Sequence, residues 1–224
     1  VSDYYAKQLS AERLKRCYDL APPRVQQYLE AEIAHVIERI GAADAVLELG
    51  CGYGRVLRRL IGRARRVVGI DTSQQSLALA RELMPDERRC ELHRMNALDL
   101  AFEDDSFDVV LCIQNGISAF GVDQRRLLAE ALRVTRRSGR VLFSSYAARF
   151  WKPRLEWFRL QADHGLLGEI DEDATGNGVI VCTDGFCATT VGPDQFHALA
   201  ADLGVEAEIA EIDQSSLFCE ICVP

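Results

Sequence analysis

From residue 45 onward the chain alternates short apolar runs with stretches whose apolar residues recur every three or four positions. The runs at 45–49, 66–70, 90–95, 107–113 and 139–144 predict strands, and the amphipathic stretches at 55–62, 73–83 and 123–135 predict helices between them. Ser73, at the head of its stretch, is the expected N-cap. Strands alternating with helices imply parallel pairing, with helices on both faces of one sheet. Near the end the pattern gives a helix at 193–203 and two further strands at 207–212 and 216–223. The link between those strands, around Asp213-Gln214-Ser215, is too short for a crossover helix. They are therefore expected to pair antiparallel, which sets one reversed strand into an otherwise parallel sheet.

Two segments stand outside this alternation. Residues 10–20 and 25–40 read as helices broken at Pro22-Pro23, and Val25, Leu29, Ile33, Val36, Ile37 and Ile40 mark the apolar face of the second. After the fifth strand comes an insertion, 146–192. It opens on a helical pattern rich in aromatics and arginine (150–158) and closes on a hairpin, with 179–183 and 186–190 as arms. Asp184-Gly185 between the arms is a type I′ turn signal. No internal repeat interrupts the chain. The organisation expected is one domain over 1–224: a helical cap (1–41), a core (42–145), the insertion (146–192), and a terminal helix with a strand pair (193–224). The fold class is α/β, a Rossmann-like doubly wound, mostly parallel seven-stranded sheet.

Composition narrows the class of function. The 224 residues are 48% hydrophobic and 27% charged, as in ordinary globular proteins. A net charge of −8 disfavours nucleic acid as the main partner. Arg63, Arg65 and Arg66, the densest basic cluster, fall at a helix end where cations offset the dipole. No apolar run reaches bilayer length, and residues 1–5 carry no signal-peptide core, so the expectation is a cytoplasmic protein with no membrane partner. Its eight cysteines are then expected to be reduced. Cys112, Cys219 and Cys222 lie in apolar runs, where cysteine behaves as a small hydrophobe. Cys219 and Cys222 have CxxC spacing, but on a strand that offset puts them on opposite faces, and no metal site is expected.

The chemistry concentrates after the first strand, in Glu48-Leu49-Gly50-Cys51-Gly52-Tyr53-Gly54-Arg55. Three glycines at every second position suit a tight turn that lets a ligand approach the backbone, and a helical pattern follows, as in nucleotide-binding loops. A dinucleotide fingerprint would need glycine where Arg55 stands, and no Walker ending is present. The second strand ends in Asp71, whose carboxylate can accept two charge-assisted hydrogen bonds from a diol. After the third strand come Asn96-Ala97-Leu98-Asp99, and the fourth begins near Ser106-Phe107-Asp108.

In this order the four motifs resemble the class I S-adenosylmethionine-dependent methyltransferases, from about residue 46 to 143 and more weakly to the terminal strand pair. The resemblance implies S-adenosylmethionine as cofactor. Gly50, Cys51, Gly52 and Gly54 would admit its methionine portion, with Glu48 beneath the amino-acid end. Asp71 would hold the ribose, Thr72 would flank adenine, and Asn96 with the Ala97 backbone would read the base edge. Many members carry Asp where this chain has Asn96, whose amide can still accept through its carbonyl. Gln114 and Asn115 would face the methionine end or the acceptor.

A sulfonium is an activated methyl donor, so transfer is an in-line displacement, and a base is needed only for a protonated acceptor. The pocket should lie over the carboxyl ends of the strands, beneath the cap and the insertion. Tyr4, Tyr5, Tyr18, Arg24, Tyr146, Trp151, Arg154 and Trp157 are candidates for its wall and together suggest a small, partly apolar acceptor. The acidic residues Glu169, Asp171, Glu172 and Asp173 read as a solvated loop. A two-residue turn would set Cys182 opposite Cys187 on one hairpin face. Packing, a redox-closable lid, or a soft metalloid acceptor are the readings of such a pair. Alternatives to methyl transfer are a non-catalytic module keeping the donor site, or an aminopropyl transferase; the latter wants acids after the fourth strand, where Gln114-Asn115-Gly116 has none. A monomer or homodimer is expected.

Overall fold

Seven strands share one sheet in the computed structural model, which describes residues 4–84 and 90–224. They are β1 (Ala45–Leu49), β2 (Arg66–Asp71), β3 (Cys90–Arg94), β4 (Phe107–Cys112), β5 (Thr135–Tyr146), β8 (Glu208–Ile212) and β9 (Ser216–Cys222). Between β5 and β8, a two-stranded ribbon pairs β6 (Ile180–Val181) with β7 (Cys187–Ala188). The sheet order is β3-β2-β1-β4-β5-β9-β8, and β9 alone runs against its neighbours. This is the doubly wound, mostly parallel sheet with one reversed strand that the hydrophobic pattern predicts.

All five residues of β1 are buried because helices cover both faces. Leu47 and Leu49 pack with Leu128 of α7 (Gln124–Val134) and Phe196 of α9 (Pro193–Asp202). Val46 faces the other way, toward α3 (Pro23–Ile37), α4 (Leu57–Leu60) and α5 (Gln74–Leu83), which contribute Ile33, Leu57 and Leu77. Pro23 opens α3, where its missing N–H costs nothing. Ser73 caps α5 by accepting from the Ser76 N–H at 3.2 Å. Among the described residues, no helix is long and apolar enough to cross a membrane.

A third core lies off the carboxyl ends of the strands. Here α1 (Tyr4–Lys7), α2 (Ala11–Asp19) and the start of α3 meet α8 (Trp151–Asp163) and the β6–β7 ribbon around Cys17, Tyr28, Trp157 and Phe186. The Trp157 indole N–H donates to the Cys17 carbonyl at 2.8 Å. Arg13 donates to the carbonyls of Gly165 and Leu166 at 3.0 and 2.9 Å. Cap and insertion are thus clasped together over the point where the strand order reverses, between β1 and β4, where open α/β sheets form their crevice.

Three local expectations change. The helix expected at 55–62 shrinks to α4, because Gly62 turns at φ 85° and Ile61 bridges to Ala64. A short helix, α6 (Gly116–Ala119), follows β4 where none was expected. In the ribbon, Val181 rather than Cys182 pairs with Cys187. The reason is the Asp184 side chain, which accepts from the N–H groups of Phe186 and Gly168 and fixes a three-residue loop closed by Gly185 at φ 91°. Cys182 therefore points inward and Cys187 outward, and they do not share a face.

Candidate functional site

A cavity of about 290 Å³ opens at the carboxyl ends of β1, β2 and β4. Its floor is the glycine loop. Gly50, Gly52 and Gly54 all have positive φ, at 70°, 54° and 77°. A Cβ at Gly50 would overlap the Phe120 ring of the cavity wall, and one at Gly54 would press on Met84. The loop is tied to β2 twice: Cys51 N–H donates to the Ile70 carbonyl and Gly52 N–H to Asp71 Oδ2, both at 2.9 Å. Asp71 Oδ1 accepts from Ser73 N–H at 2.8 Å. Burial raises the Asp71 pKa while these N–H groups hold it down. Its carboxylate is oriented by the backbone and keeps lone pairs toward the cavity.

Glu48 lies beside this loop, buried, with Oε2 unpartnered. Burial pushes its carboxyl up to about 8, against the pull of Arg55 and with a push from Asp71. Arg55 also lines the cavity, with Nε and Nη2 shielded from solvent and unpartnered, and its guanidinium 4.7 Å from the Tyr18 ring centroid. The third unsatisfied group is Gln114 Nε2. A cavity end with one open carboxylate oxygen and several open N–H donors complements a zwitterion, since buried polar groups left unmade are costly.

Gln114 owes its position to the backbone. It and Asn115 both sit at positive φ, 56° and 63°. The Gln114 N–H is held by Glu32 Oε2 at 2.9 Å and Ser144 Oγ at 2.8 Å. Glu32 is fully buried on α3, and burial raises its carboxyl to about 6 against the hydrogen bonds it accepts. At the opposite end, Thr72, Asn96 and Ala97 line the wall, and Asn96 Oδ1 accepts from Leu98 N–H at 3.0 Å, which sets the amide's orientation.

Glu48, Gly50, Cys51, Gly52, Asp71, Thr72, Asn96, Ala97 and Gln114 therefore share one cavity; Gly54 shapes the loop beneath. Tyr5, Tyr18, Tyr146 and Trp157 line its cap side. The other wall candidates lie elsewhere. Tyr4 packs on Phe186 at 5.1 Å and donates to Asp184. Arg24 pairs with Asp213 at 2.7 Å. Asn115 is buried, donating to the Thr189 carbonyl and accepting from Ser145 Oγ. Trp151 and Arg154 stand behind the wall, on α8. Among the described residues no cluster of three or more His, Cys, Asp or Glu is placed to hold a metal.

Sequence reasoning missed Arg55 and Glu32 as site residues. Arg55 followed the last glycine and entered only as a non-glycine; Glu32 stood on the buried stripe with Leu29, Ile33 and Val36, the one acid there.

Residues 46–139 match the model of a methyltransferase domain family. The chain is 33% identical over 106 residues to a demethylmenaquinone methyltransferase of Clavibacter sepedonicus, covering 47% of this chain and 42% of that one. It is 36% identical over 119 residues to a phosphatidylethanolamine N-methyltransferase of Cereibacter sphaeroides, covering 52% and 56%. The chain thus spans about half the length of the curated relatives it matches. A protein of Pyrococcus horikoshii OT3 shares the fold over all of both chains, with TM-score 0.70 at 22% identity. Motif order, sheet order and these matches agree on one point: residues 46–139 are similar to a methyltransferase domain, set in a Rossmann-like sheet.

Proposed function

We propose that this chain transfers a methyl group from S-adenosylmethionine to a small-molecule acceptor. The observation that carries the reading is the trio of unsatisfied groups, Glu48 Oε2, the Arg55 guanidinium and Gln114 Nε2, in the cavity that also holds Asp71. An α-amino acid presents the complementary set, an ammonium for Glu48 and a carboxylate for Arg55 and Gln114. Asp71 takes the ribose diol, and Thr72, Asn96 and Ala97 the adenine. Gly50 and Gly52 let the chain approach, and Tyr18, already beneath the Arg55 cation, closes the cap side over the donor. When bound, S-adenosylmethionine supplies an electrophilic methyl group on a sulfonium. The protein's part is to fix the two reactants in line and to exclude water, which the clasped cap and insertion do. The eight unpaired thiols, six of them buried, fit a reducing, cytoplasmic setting. A monomer or homodimer is part of the same reading.

Calorimetry with S-adenosylmethionine and S-adenosylhomocysteine tests it. Both are expected to bind in the micromolar range, with Asp71→Ala and Arg55→Ala each weakening them at least about tenfold, as for lost charge-assisted bonds. No binding of either at millimolar concentration overturns the reading. Binding without methyl loss in the presence of any acceptor pool would instead support a non-catalytic module.

A further inference from the structure

The cap side of the cavity is walled by Tyr5, Tyr18, Tyr146, Trp157, Phe158 and Gln161, none of them ionised at neutral pH. Burial raises the phenols of Tyr5, Tyr18 and Tyr146, so they remain O–H donors there. Cys17, also on this wall, is pushed up to about 12. Among the described lining residues the only carboxylates are Glu48 and Asp71, at the loop end, and none is a histidine. Among the described residues, nothing on the cap side can readily take a proton from an acceptor near neutral pH.

Directly behind this wall stands a cation. Arg154 is 1% exposed, with its guanidinium carbon 4.5 Å from the Tyr146 ring centroid and 5.5 Å from that of Phe158. It donates to the carbonyls of Gly178 at 2.8 Å and Ala188 at 3.1 Å, while Nε has no partner. The ionisable groups that act on it most are the phenols of Tyr146, Tyr5 and Tyr28 and the thiol of Cys187, and its hydrogen bonds among the described residues go to backbone carbonyls, none to a carboxylate. Carbonyl dipoles solvate this charge without neutralising it, and a buried charge left unpaired is expensive.

Resting on the methyl-transfer reading, we propose that the acceptor is an organic anion, whose charge Arg154 balances through the Tyr146 wall and whose ionised atom is itself the nucleophile. Its lone pair forms the bond to the methyl carbon, the pair of the breaking carbon–sulfur bond stays on sulfur, and no proton has to leave. Tyr5 and Tyr146 offer O–H donors to the anion, whereas a positively charged amine has only the ring faces to set against the repulsion of Arg154. Arg154 acts as a specificity-determining residue and does not itself touch the reacting atoms.

The test is calorimetry at neutral pH on protein saturated with S-adenosylhomocysteine, using benzoate, benzyl alcohol and benzylamine as probes matched in shape. Benzoate is expected to bind at least about tenfold tighter than benzylamine, with benzyl alcohol between them. Arg154→Met should erase the order while leaving S-adenosylhomocysteine affinity in place, and Arg154→Lys should restore it. A purely structural Arg154 would weaken all three probes alike. Benzylamine binding as tightly as benzoate in the unaltered protein, undetectable benzoate binding at millimolar concentration, or an order that survives Arg154→Met each overturns the proposal. The unaltered protein alone decides the sign, so misfolding of a variant leaves the test intact. Failure of S-adenosylhomocysteine to bind would instead sink the methyl-transfer reading beneath it.

Discussion

Glu32, fully buried on α3, accepts the backbone N–H of Gln114 at 2.9 Å, and so holds the first of two successive left-handed residues beside the cavity. Its other oxygen accepts from Ser216 on β9, so one side chain ties the cap to the end of β4 and to β9. Non-glycine residues at positive φ are strained by about 1–3 kcal/mol each and persist only where their surroundings fix them. Glu32→Gln exchanges an acceptor for an NH₂ against one of these donors. The expected cost is about 1–3 kcal/mol, or roughly 2–4 °C in Tm per kcal/mol at this chain length. Calorimetry of the variant should also show weaker S-adenosylhomocysteine binding, because Gln114 is displaced. A variant with unchanged Tm and affinity would mean that the turn holds itself.

Burial raises two carboxyls, Glu32 to about 6 and Glu48 to about 8, from an ordinary value of 4.5. The folded protein therefore holds more protons than the unfolded chain between those values. Stability from both groups is full below about 4.5 and is lost as pH rises through about 6 and then about 8. The Tm of the ligand-free protein should accordingly fall between about pH 5 and pH 8, and Glu48→Gln should flatten the upper part of that fall. An ammonium placed against Glu48 favours its ionised form, so binding of S-adenosylhomocysteine near pH 7 should release a proton. Calorimetry in two buffers of different ionisation enthalpy measures this directly, and proton uptake would contradict the placement of Glu48.

How much of this was readable from the chain depends on how local each feature is. Glu48, the glycines and Asp71 stand at strand ends set by short-range patterning, and the strand-and-turn alternation fixed their relative positions. The α8 stripe Arg154, Trp157, Phe158 and Gln161 has helical spacing, but spacing does not say which face meets the cavity and which backs it. Arg154 and Trp151 consequently lie behind a wall they were expected to line. The ribbon register turned on one side chain, Asp184, whose partners Tyr4 and Gly168 are distant in sequence. Glu32 was missed because its partners Gln114 and Ser216 lie on other elements.

Asn96 gives a prediction of opposite sign to most substitutions. Its Oδ1 already accepts from Leu98 N–H, leaving one lone pair and the NH₂ for a base edge. Asp at this position would accept both from Leu98 and, with charge assistance, from an adenine amino group. Asn96→Asp should therefore tighten S-adenosylhomocysteine by about 3- to 10-fold, corresponding to about 0.7–1.4 kcal/mol. Weaker binding would show that the amide NH₂ donates to a ring nitrogen instead.

Cys182 and Cys187 are separated by the sheet plane of their ribbon, the first buried at 3% exposure and the second open to solvent. With Cβ vectors pointing apart they cannot be bridged without moving the backbone. Burial raises the Cys182 thiol to about 11, so it contributes little thiolate at neutral pH. Mild oxidation with diamide should therefore leave both thiols of this pair titratable after unfolding, as counted by mass spectrometry. Cys187→Ser should be neutral, whereas Cys182→Ser puts a hydroxyl among Phe186 and its neighbours and should cost about 1–3 kcal/mol. The double variant should retain methyl transfer to an organic acceptor. Loss of transfer with donor binding intact would restore a chemical role for the thiols, and a Cys182–Cys187 disulfide in the oxidised protein would require a ribbon register other than Val181 opposite Cys187.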